Sequence, residues 1–342
     1  MNVNTFFVKI CGMRNKYARF NIRDLGRIDF MSFVIIPDTA CDLDKKLRDR
    51  FGIEDYMRGT IYYPDGHSEL ISLDWEKMTP DEYYSSMKGH NALYKTASVP
   101  VGEIKEIFEK HLQKGEDILS VSLSSGLSTS YNETEMVAKE LREKYPDRKI
   151  LCVDSLRYST SLALLIIKGC EKKNEGATIE ETYEYMNELK WSIHQMGFMD
   201  DLYFLAKTGR VSNFKAFFGT LVGVAPLADF NKKGVSEVLA KAKGRKQANK
   251  ATVEFMKKFI VNPEEQIIFI AHSLRKEFAD MLAEDIKETF HPKEIIMNDV
   301  GMACGASIGP GLCSAYFMGK PVTESLEDEK KALNEILENM KK

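Results

Sequence analysis

The fold is decided by residues 118–128, which read ILSVSL followed directly by SSGLS. The first six residues carry no charge and predict a buried strand. Apolar residues then recur at helical spacing between Ser130 and Tyr145, which predicts an amphipathic helix. A buried strand that passes through a short Ser/Gly turn into a helix is the repeating unit of an α/β fold.

The same alternation extends in both directions from this stretch. Residues 33–36 and 150–153 predict further strands, and residues 100–114 and 155–173 predict helices between and after them. The sequence Asn174-Glu175-Gly176 breaks the pattern. The second half opens with an acidic helix at 179–189 and has fewer, longer helices. We therefore predict a mainly parallel α/β lobe at 31–175 and an α+β lobe at 176–342.

The N-terminal residues 1–30 form a basic extension to which the sequence assigns no role. They alternate short apolar pieces with arginines and lysines, which is unlike a secretory signal. Met31 directly precedes the first strand, which leaves open whether translation starts there. The six cysteines are scattered and contain no Cys-x-x-Cys pair, which favours reduced thiols and a cytoplasmic protein.

Residues 300–319 carry no charge, and glycines recur at helical spacing among them. Four glycines and Pro310 make the run too polar for a membrane span, so we predict a buried glycine-rich loop leading into a strand. A transmembrane protein is not expected. Transient contact with a membrane surface stays open.

Charge and motif content argue against several functional classes. With 48 basic and 51 acidic residues, the chain has no global field that would attract nucleic acid. Metal-ligand spacing among the histidines and phosphate-binding glycine motifs are both missing from the sequence, so no cofactor is expected. The 126–130 segment lacks the last glycine of a hydrolase elbow, which leaves a serine hydrolase as a distant alternative.

The turn after the central strand is the first candidate binding site. Hydroxyls of Ser124 and Ser125 stand beside Gly126 where a helix begins, and free N–H groups at such an end attract anions. A carboxylate there would gain about 0.3–2 kcal/mol from the helix end. For an isolated turn of this kind, ordinary helix capping is the more common explanation. Three further polar turns, at 94–100, 207–212 and 305–311, favour a binding site.

These turns, in this order, resemble the motifs of the DegV family of bacterial fatty-acid-binding proteins. The family has an Asp-Ser-x-x-Asp-Leu segment, a Lys-Thr-Ser turn, Ser-Ser-Gly-Leu-Ser, Gly-Arg-Ile-Ser and a late Gly-Pro-Gly. Here the corresponding segments begin at Asp38, Lys95, Ser124, Gly209 and Gly309. The resemblance extends from Met31 nearly to the C-terminus.

The resemblance implies a two-lobed carrier with a fatty-acid carboxylate at the lobe junction and the acyl chain in an apolar tunnel. By this resemblance, the hydroxyls of Thr96 and Ser125 and the backbone N–H groups of Ser125 and Gly126 would hold the carboxylate. Ser124 and Ser307 also correspond to head-group positions of the family. Arg210 would lie close to the head group, or would brace its own loop. The uncharged runs nearby suggest tunnel residues, although each is individually more typical of plain core. These are Phe214, Phe217, Phe218, Leu221, Val222 and Ile308.

The resemblance also implies a partner. A separate fatty acid kinase would phosphorylate the bound carboxylate for phospholipid synthesis, so this chain itself would not be an enzyme. Ser307 stands where the family usually has a histidine, and serine cannot carry positive charge. This departure keeps a second hypothesis open, namely a binding or sensor protein for a different apolar carboxylate.

Overall fold

The computed structural model describes residues 32–212 and 223–341. The predicted N-terminal extension lies outside the described residues. The strands are β1 (Phe33–Pro37), β2 (Thr60–Tyr62), β3 (Ser68–Leu70), β4 (Lys95–Ala97), β5 (Asp117–Ser122), β6 (Ile150–Asp154), β7 (Ile193–Met199), β8 (Val211–Ser212), β9 (Ala225–Phe230), β10 (Ser236–Ala242), β11 (Ile267–His272), β12 (Glu294–Asp299) and β13 (Leu312–Met318).

The described α-helices are α1 (Lys45–Phe51), α2 (Pro80–Met87), α3 (Val101–Leu112), α4 (Ser130–Lys144), α5 (Thr160–Asn174), α6 (Ile179–Leu189), α7 (Tyr203–Thr208), α8 (Gly244–Phe259), α9 (Lys276–Phe290), α10 (Met302–Ile308) and α11 (Glu327–Asn339). Short 3-10 helices lie at Thr39–Cys41, Lys88–His90, Lys190–Ser192 and Pro263–Glu265.

The first sheet is parallel, in the order β1-β5-β6, and confirms the predicted α/β part of the fold. Alternate residues of β5 face opposite sides of the sheet, as the two-residue repeat of a strand requires. Ile118 packs with Phe108 of α3 and Leu141 of α4 in one apolar cluster. Leu119 and Val121 belong to a second, larger cluster on the other side, which contains α5.

Helix α5 packs between the two main sheets. It contacts β1 of the first sheet and β7, β11 and β13 of the second. A helix that is apolar on all sides is typical of a buried position. Its five leucine and isoleucine side chains have no exposed surface: Leu162, Leu164, Leu165, Ile166 and Ile167.

The second sheet is mixed and has seven strands in the order β12-β11-β13-β7-β9-β10-β8. Strands β11 and β12 are parallel, whereas β7, β9 and β13 pair in antiparallel fashion. Helices α8, α9 and α11 cover the outer face through an apolar cluster that includes Phe255, Leu282 and Leu333. This mixed sheet with its helices agrees with the predicted α+β character of the second half.

A small antiparallel sheet, ordered β3-β2-β4, lies beside α10. Ile61 of β2 is paired with Thr96 of β4 on one side and with Glu69 of β3 on the other. The sequence predicted only a polar turn at 94–100. The structure corrects this, because Thr96 is the central residue of a strand.

Two further predictions concern residues 302–308 and the boundary between the lobes. Residues 302–308, predicted as part of a glycine-rich loop, form helix α10 before the chain enters β13. The predicted lobe boundary at residue 175 falls between α5 and α6, and α6 packs against α5 and β6 of the first sheet. Within residues 32–212 and 223–341, no helix has the length and apolarity needed to cross a bilayer.

Candidate functional site

The turn between β5 and α4 is closed by its own backbone. The N–H groups of Leu127 and Ser128 donate to the carbonyl oxygen of Ser124 at 3.0 and 3.1 Å. The hydroxyls of Ser128 and Ser130 lie 2.9 Å apart at the start of α4. The turn therefore presents different serines in different directions.

One side of this turn holds the hairpin that joins β9 and β10. The Ser124 hydroxyl donates to the carbonyl oxygen of Gly234 at 2.7 Å, and the Gly126 N–H donates to the Ser124 hydroxyl at 3.1 Å. A β-carbon on Gly126 would lie 2.3 Å from the carbonyl oxygen of Lys233. Glycine is therefore required here by close approach of the hairpin backbone.

The N–H groups predicted to be free are already engaged. Ser125 donates its backbone N–H to Oδ1 of Asp154 at 3.1 Å and its hydroxyl to Oδ2 at 2.5 Å. Asp154, at the end of β6, thus takes the place that the sequence assigned to a ligand carboxylate. A role of Ser125 and Gly126 in ligand binding stays a prediction, and it would require the Asp154 carboxylate to give up these donors.

A cavity beside the turn, which we call cavity 1, contains about 550 Å³ of space including its open mouth. It collects residues from the segment that follows β1, from β4, from the start of α4 and from α10. The lining residues are Asp38, Thr39, Ala40, Gly59, Ile71, Thr96, Ala97, Ser98, Val99, Leu123, Leu127, Ser128, Ser130, Tyr158, Arg210, Ala303 and Ser307.

Cavity 1 brings together half of the predicted head-group residues. Thr96, Arg210 and Ser307 line it, although they are far apart in the sequence. Ser124, Ser125 and Gly126 are not among the lining residues; the same motif contributes Ser128 instead. Sequence spacing gives no signal for this choice, because residues three apart on a helix lie on the same face.

Two buried groups in cavity 1 were missed by the sequence-based prediction. Burial raises the pKa of Asp38 to about 6, although N–H groups of Leu123 and Ala40 hydrogen-bond its two oxygens at 2.8 and 2.9 Å. Tyr158 donates its hydroxyl to the carbonyl oxygen of Cys304 at 2.8 Å. Burial raises the pKa of Tyr158 well above its ordinary value, so its hydroxyl stays protonated.

Arg210 supplies the cation of cavity 1. It is half-buried, and its guanidinium donates to the carbonyl oxygen of Thr208 near the end of α7. Helix α7 ends at Gly209, whose φ of 72° is left-handed and directs the chain toward the cavity. A guanidinium near several hydroxyls is a chemistry suited to a carboxylate.

The predicted acyl-chain tunnel can be compared with the structure only at Ile308. Phe214, Phe217, Phe218, Leu221 and Val222 lie outside the described residues. Ile308 is buried in the large apolar cluster that also contains Phe204, and it is not among the residues that line cavity 1. Among the described residues, no group of His, Cys, Asp and Glu side chains is arranged to hold a metal ion.

Comparison with known proteins places these features in a family. The sequence model of the DegV family, described as uncharacterised proteins, matches residues 32–320. A DegV domain-containing protein of Clostridium perfringens is 34% identical over 287 residues, covering 84% of this chain and 97% of that protein. Protein DegV of Bacillus subtilis is 25% identical over 284 residues, covering 82% of this chain and 97% of the relative.

Solved structures show the same fold. A DegV family protein of Thermus thermophilus, described by its fatty acid binding, has a TM-score of 0.76 with this chain at 22% identity. The match covers 84% of this chain and 100% of that one. The DegV fatty acid binding protein of Bacillus subtilis has a TM-score of 0.70 at 23% identity, covering 85% and 100%. A family match over residues 32–320 and a relative 34% identical over almost its whole length lead to one conclusion: this chain belongs to the DegV family.

Proposed function

We propose that this protein binds a long-chain fatty acid and holds its carboxylate in cavity 1. The observation that carries the proposal is the convergence of Thr96, Ser128 and Ser307 hydroxyls with the Arg210 guanidinium in one cavity. Relatives of the same fold from Thermus thermophilus and Bacillus subtilis are fatty acid binders, which supports the choice of ligand.

The proposed division of labour follows from the size of each contribution. A hydrogen bond to a charged group contributes about 1.5–3 kcal/mol, so a few hydroxyl donors suffice to orient the carboxylate. Each buried methylene contributes about 0.8 kcal/mol, so the acyl chain supplies most of the affinity before association costs. Cavity 1 would therefore fix the direction of the ligand, and apolar walls would hold its tail.

The direct test is native mass spectrometry of protein purified from cells. We expect extra mass that denaturation releases as long-chain fatty acid. If well-folded protein repeatedly carries no lipid and takes up none when it is offered, the proposal is wrong. Release of a different apolar carboxylate would support the binding or sensor hypothesis instead.

Ser307 tests whether the family's histidine position still contacts the ligand. It is 6% exposed and lines cavity 1. We expect Ser307→His to increase carboxylate retention by about tenfold, corresponding to one added charge-assisted hydrogen bond, and more strongly at pH 6 than at pH 8 because a protonated imidazole adds positive charge. Retention can be measured by competition for a fluorescent fatty acid. A loss of binding at both pH values would show that the cavity has adapted to serine.

We further propose that a separate kinase phosphorylates the bound carboxylate and that the protein works in the cytoplasm as a carrier. The proposal rests on the family resemblance and on a sequence without a phosphate-binding glycine loop. Lipid-loaded protein should yield acyl phosphate with ATP only after a fatty acid kinase is added. Formation of acyl phosphate without that kinase would contradict the division of roles.

A hydrolase is less well supported by cavity 1. The Ser128 hydroxyl has the Ser130 hydroxyl as its near neighbour at 2.9 Å, and the described lining residues include no histidine. A serine nucleophile needs a base within hydrogen-bond reach. The described part of the site therefore favours binding over covalent catalysis.

A further inference from the structure

One edge of the second sheet is formed by β12. This strand pairs in parallel with β11 on one side, and no strand among the described residues pairs with its other side. Met297 in β12 is 38% exposed, and its neighbours Ile295 and Ile296 are half-buried. An edge strand presents a row of N–H and C=O groups that can pair with another strand. The outer side of β12 is therefore a candidate interaction surface.

The direction of each backbone group of β12 follows from its hydrogen bonds to β11. Glu294 donates its N–H to the carbonyl oxygen of Gln266, and Val300, directly after the strand, donates to that of His272. The backbone groups of successive strand residues point to alternate sides. Even-numbered residues of β12 thus face β11, whereas the N–H and C=O groups of residues 293, 295, 297 and 299 face outward.

Contacts from α1 and the segment before it reach β12 through its even-numbered side chains. Arg50 of α1 pairs with the Glu294 carboxylate at 2.6 Å. The Asn298 amide donates to the carbonyl oxygen of Asp42 at 3.3 Å. These side chains lie on the opposite face of the sheet from Ile295 and Met297, because side chains alternate along a strand.

An antiparallel second copy of β12 fits this edge in one register. With Ile296 on the two-fold axis, Ile295 lies opposite Met297 of the second copy, and Lys293 lies opposite its Asp299. All four of these residues face outward, as hydrogen-bonded pairs require. With Met297 on the axis instead, Asp299 meets Ile295, and with Ile295 on the axis, Lys293 meets Met297. The register centred on Ile296 is thus the one of these three that pairs charge with charge and apolar with apolar side chains.

Asp299 is the acidic member of the charged pair. Its side chain is 33% exposed, and its Oδ1 lies 3.2 Å from Nδ1 of His272. Burial lowers the pKa of His272, so this neighbour is uncharged at neutral pH. Burial also raises the pKa of Asp299 itself. A lysine placed opposite Asp299 would therefore favour its charged form.

We propose that two copies of this chain associate through β12, in antiparallel pairing centred on Ile296, so that their seven-stranded sheets join across a two-fold axis. Charged residues on an edge strand commonly keep other strands from pairing with it. An identical strand in this register matches both Lys293 and Asp299, whereas a strand without an acid and a base at these positions leaves them unmatched. The edge therefore favours a second copy over a different protein. This proposal is independent of the proposed ligand.

The test is the molar mass of the full-length protein, measured by sedimentation equilibrium over a range of concentrations. Wild type should form dimers. Lys293→Glu places glutamate opposite Asp299, and Asp299→Lys places lysine opposite Lys293. Because both charged pairs of the dimer then become repulsive, each variant alone should raise the dissociation constant of the dimer by about tenfold or more. An equimolar mixture of the two variants should dimerise again, since both pairs then join opposite charges.

Lys139→Glu is the matched control, because Lys139 is exposed on α4. It should dimerise as wild type does. Met297→Pro is a second disrupting variant, since proline removes an outward N–H and leaves the hydrogen bonds to β11 in place. It should be monomeric, with a folded state confirmed by circular dichroism. Wild-type protein that stays monomeric, dimers that persist in both charge variants, or a mixture that does not dimerise would each overturn the proposal.

Discussion

The Thr96→Ala/Ser128→Ala double variant is expected to weaken fatty-acid binding by about 100-fold or more while the protein stays folded. Each substitution removes one hydroxyl donor from cavity 1, and each such hydrogen bond to a carboxylate contributes about 1.5–3 kcal/mol. Both side chains are only half-buried, so their truncation leaves small gaps in the core. Titration of delipidated protein with a fluorescent fatty acid measures the loss, and circular dichroism checks the fold.

Thr96→Ala/Ser125→Ala is the informative comparison. Ser125 is exposed and donates to Asp154, so the structure predicts that it contributes little beyond the effect of Thr96 alone. The family resemblance predicts the opposite. If the Ser125 variant loses more binding than the Ser128 variant, the ligand displaces Asp154 from the turn, and Ser128 is not a head-group residue.

The delipidated protein is expected to become less stable as pH rises from 5 to 8, by on the order of 2–4 kcal/mol. Burial raises the pKa of Asp42 from 3.8 to about 7, and a hydrogen bond from Ser159 offsets only part of this. Burial also raises the pKa of Asp38, to about 6. Both carboxyls are thus protonated more readily in the folded protein than in the unfolded chain.

The sign of this pH dependence follows from whether the folded or the unfolded protein binds each proton more tightly. A raised carboxyl pKa stabilises the fold fully below pH 3.8, and that stabilisation is lost as pH passes through 6 and 7. His194 acts in the same direction: burial alone would lower its pKa, but the buried Asp229 carboxylate at 2.6 Å raises it. His272 opposes the trend, because burial lowers its pKa.

Urea unfolding at pH 5, 6, 7 and 8 measures the trend, and Asp42→Asn should flatten it by removing the larger contribution. Asp49→Asn is a suitable control, since Asp49 lies on α1 with its side chain 64% exposed. Unfolding free energies that rise from pH 5 to pH 8 would contradict the prediction. So would an unchanged slope in the Asp42→Asn protein.

The sequence predicts the first sheet well because its signals are local. Strands β1, β5 and β6 are short, buried and largely uncharged runs, with helical patterns between and after them. The small sheet has no comparable signal: β2, β3 and β4 are three residues long, and β4 follows β2 after more than thirty residues. Short strands of this kind are specified by the surface on which they pack.

In the candidate site, too, sequence motifs identify some residues, whereas others depend on the tertiary structure. Motif comparison finds Thr96, Arg210 and Ser307, which the fold then brings together in cavity 1. It does not distinguish Ser125 from Ser128, because the choice depends on Asp154, which arrives from a neighbouring strand. It also misses Asp38 as a wall of the cavity, since its burial is a property of the tertiary structure.

The position of α5 determines how a ligand can enter. Exposing even three of its buried leucine and isoleucine side chains would cost on the order of 5–9 kcal/mol, which is comparable to the whole stability of a typical domain. The two main sheets thus share a common core, and its burial energy disfavours ligand entry by a hinge motion between them. Entry to cavity 1 would then require only smaller rearrangements, such as a shift of the three-stranded sheet that packs beside α10.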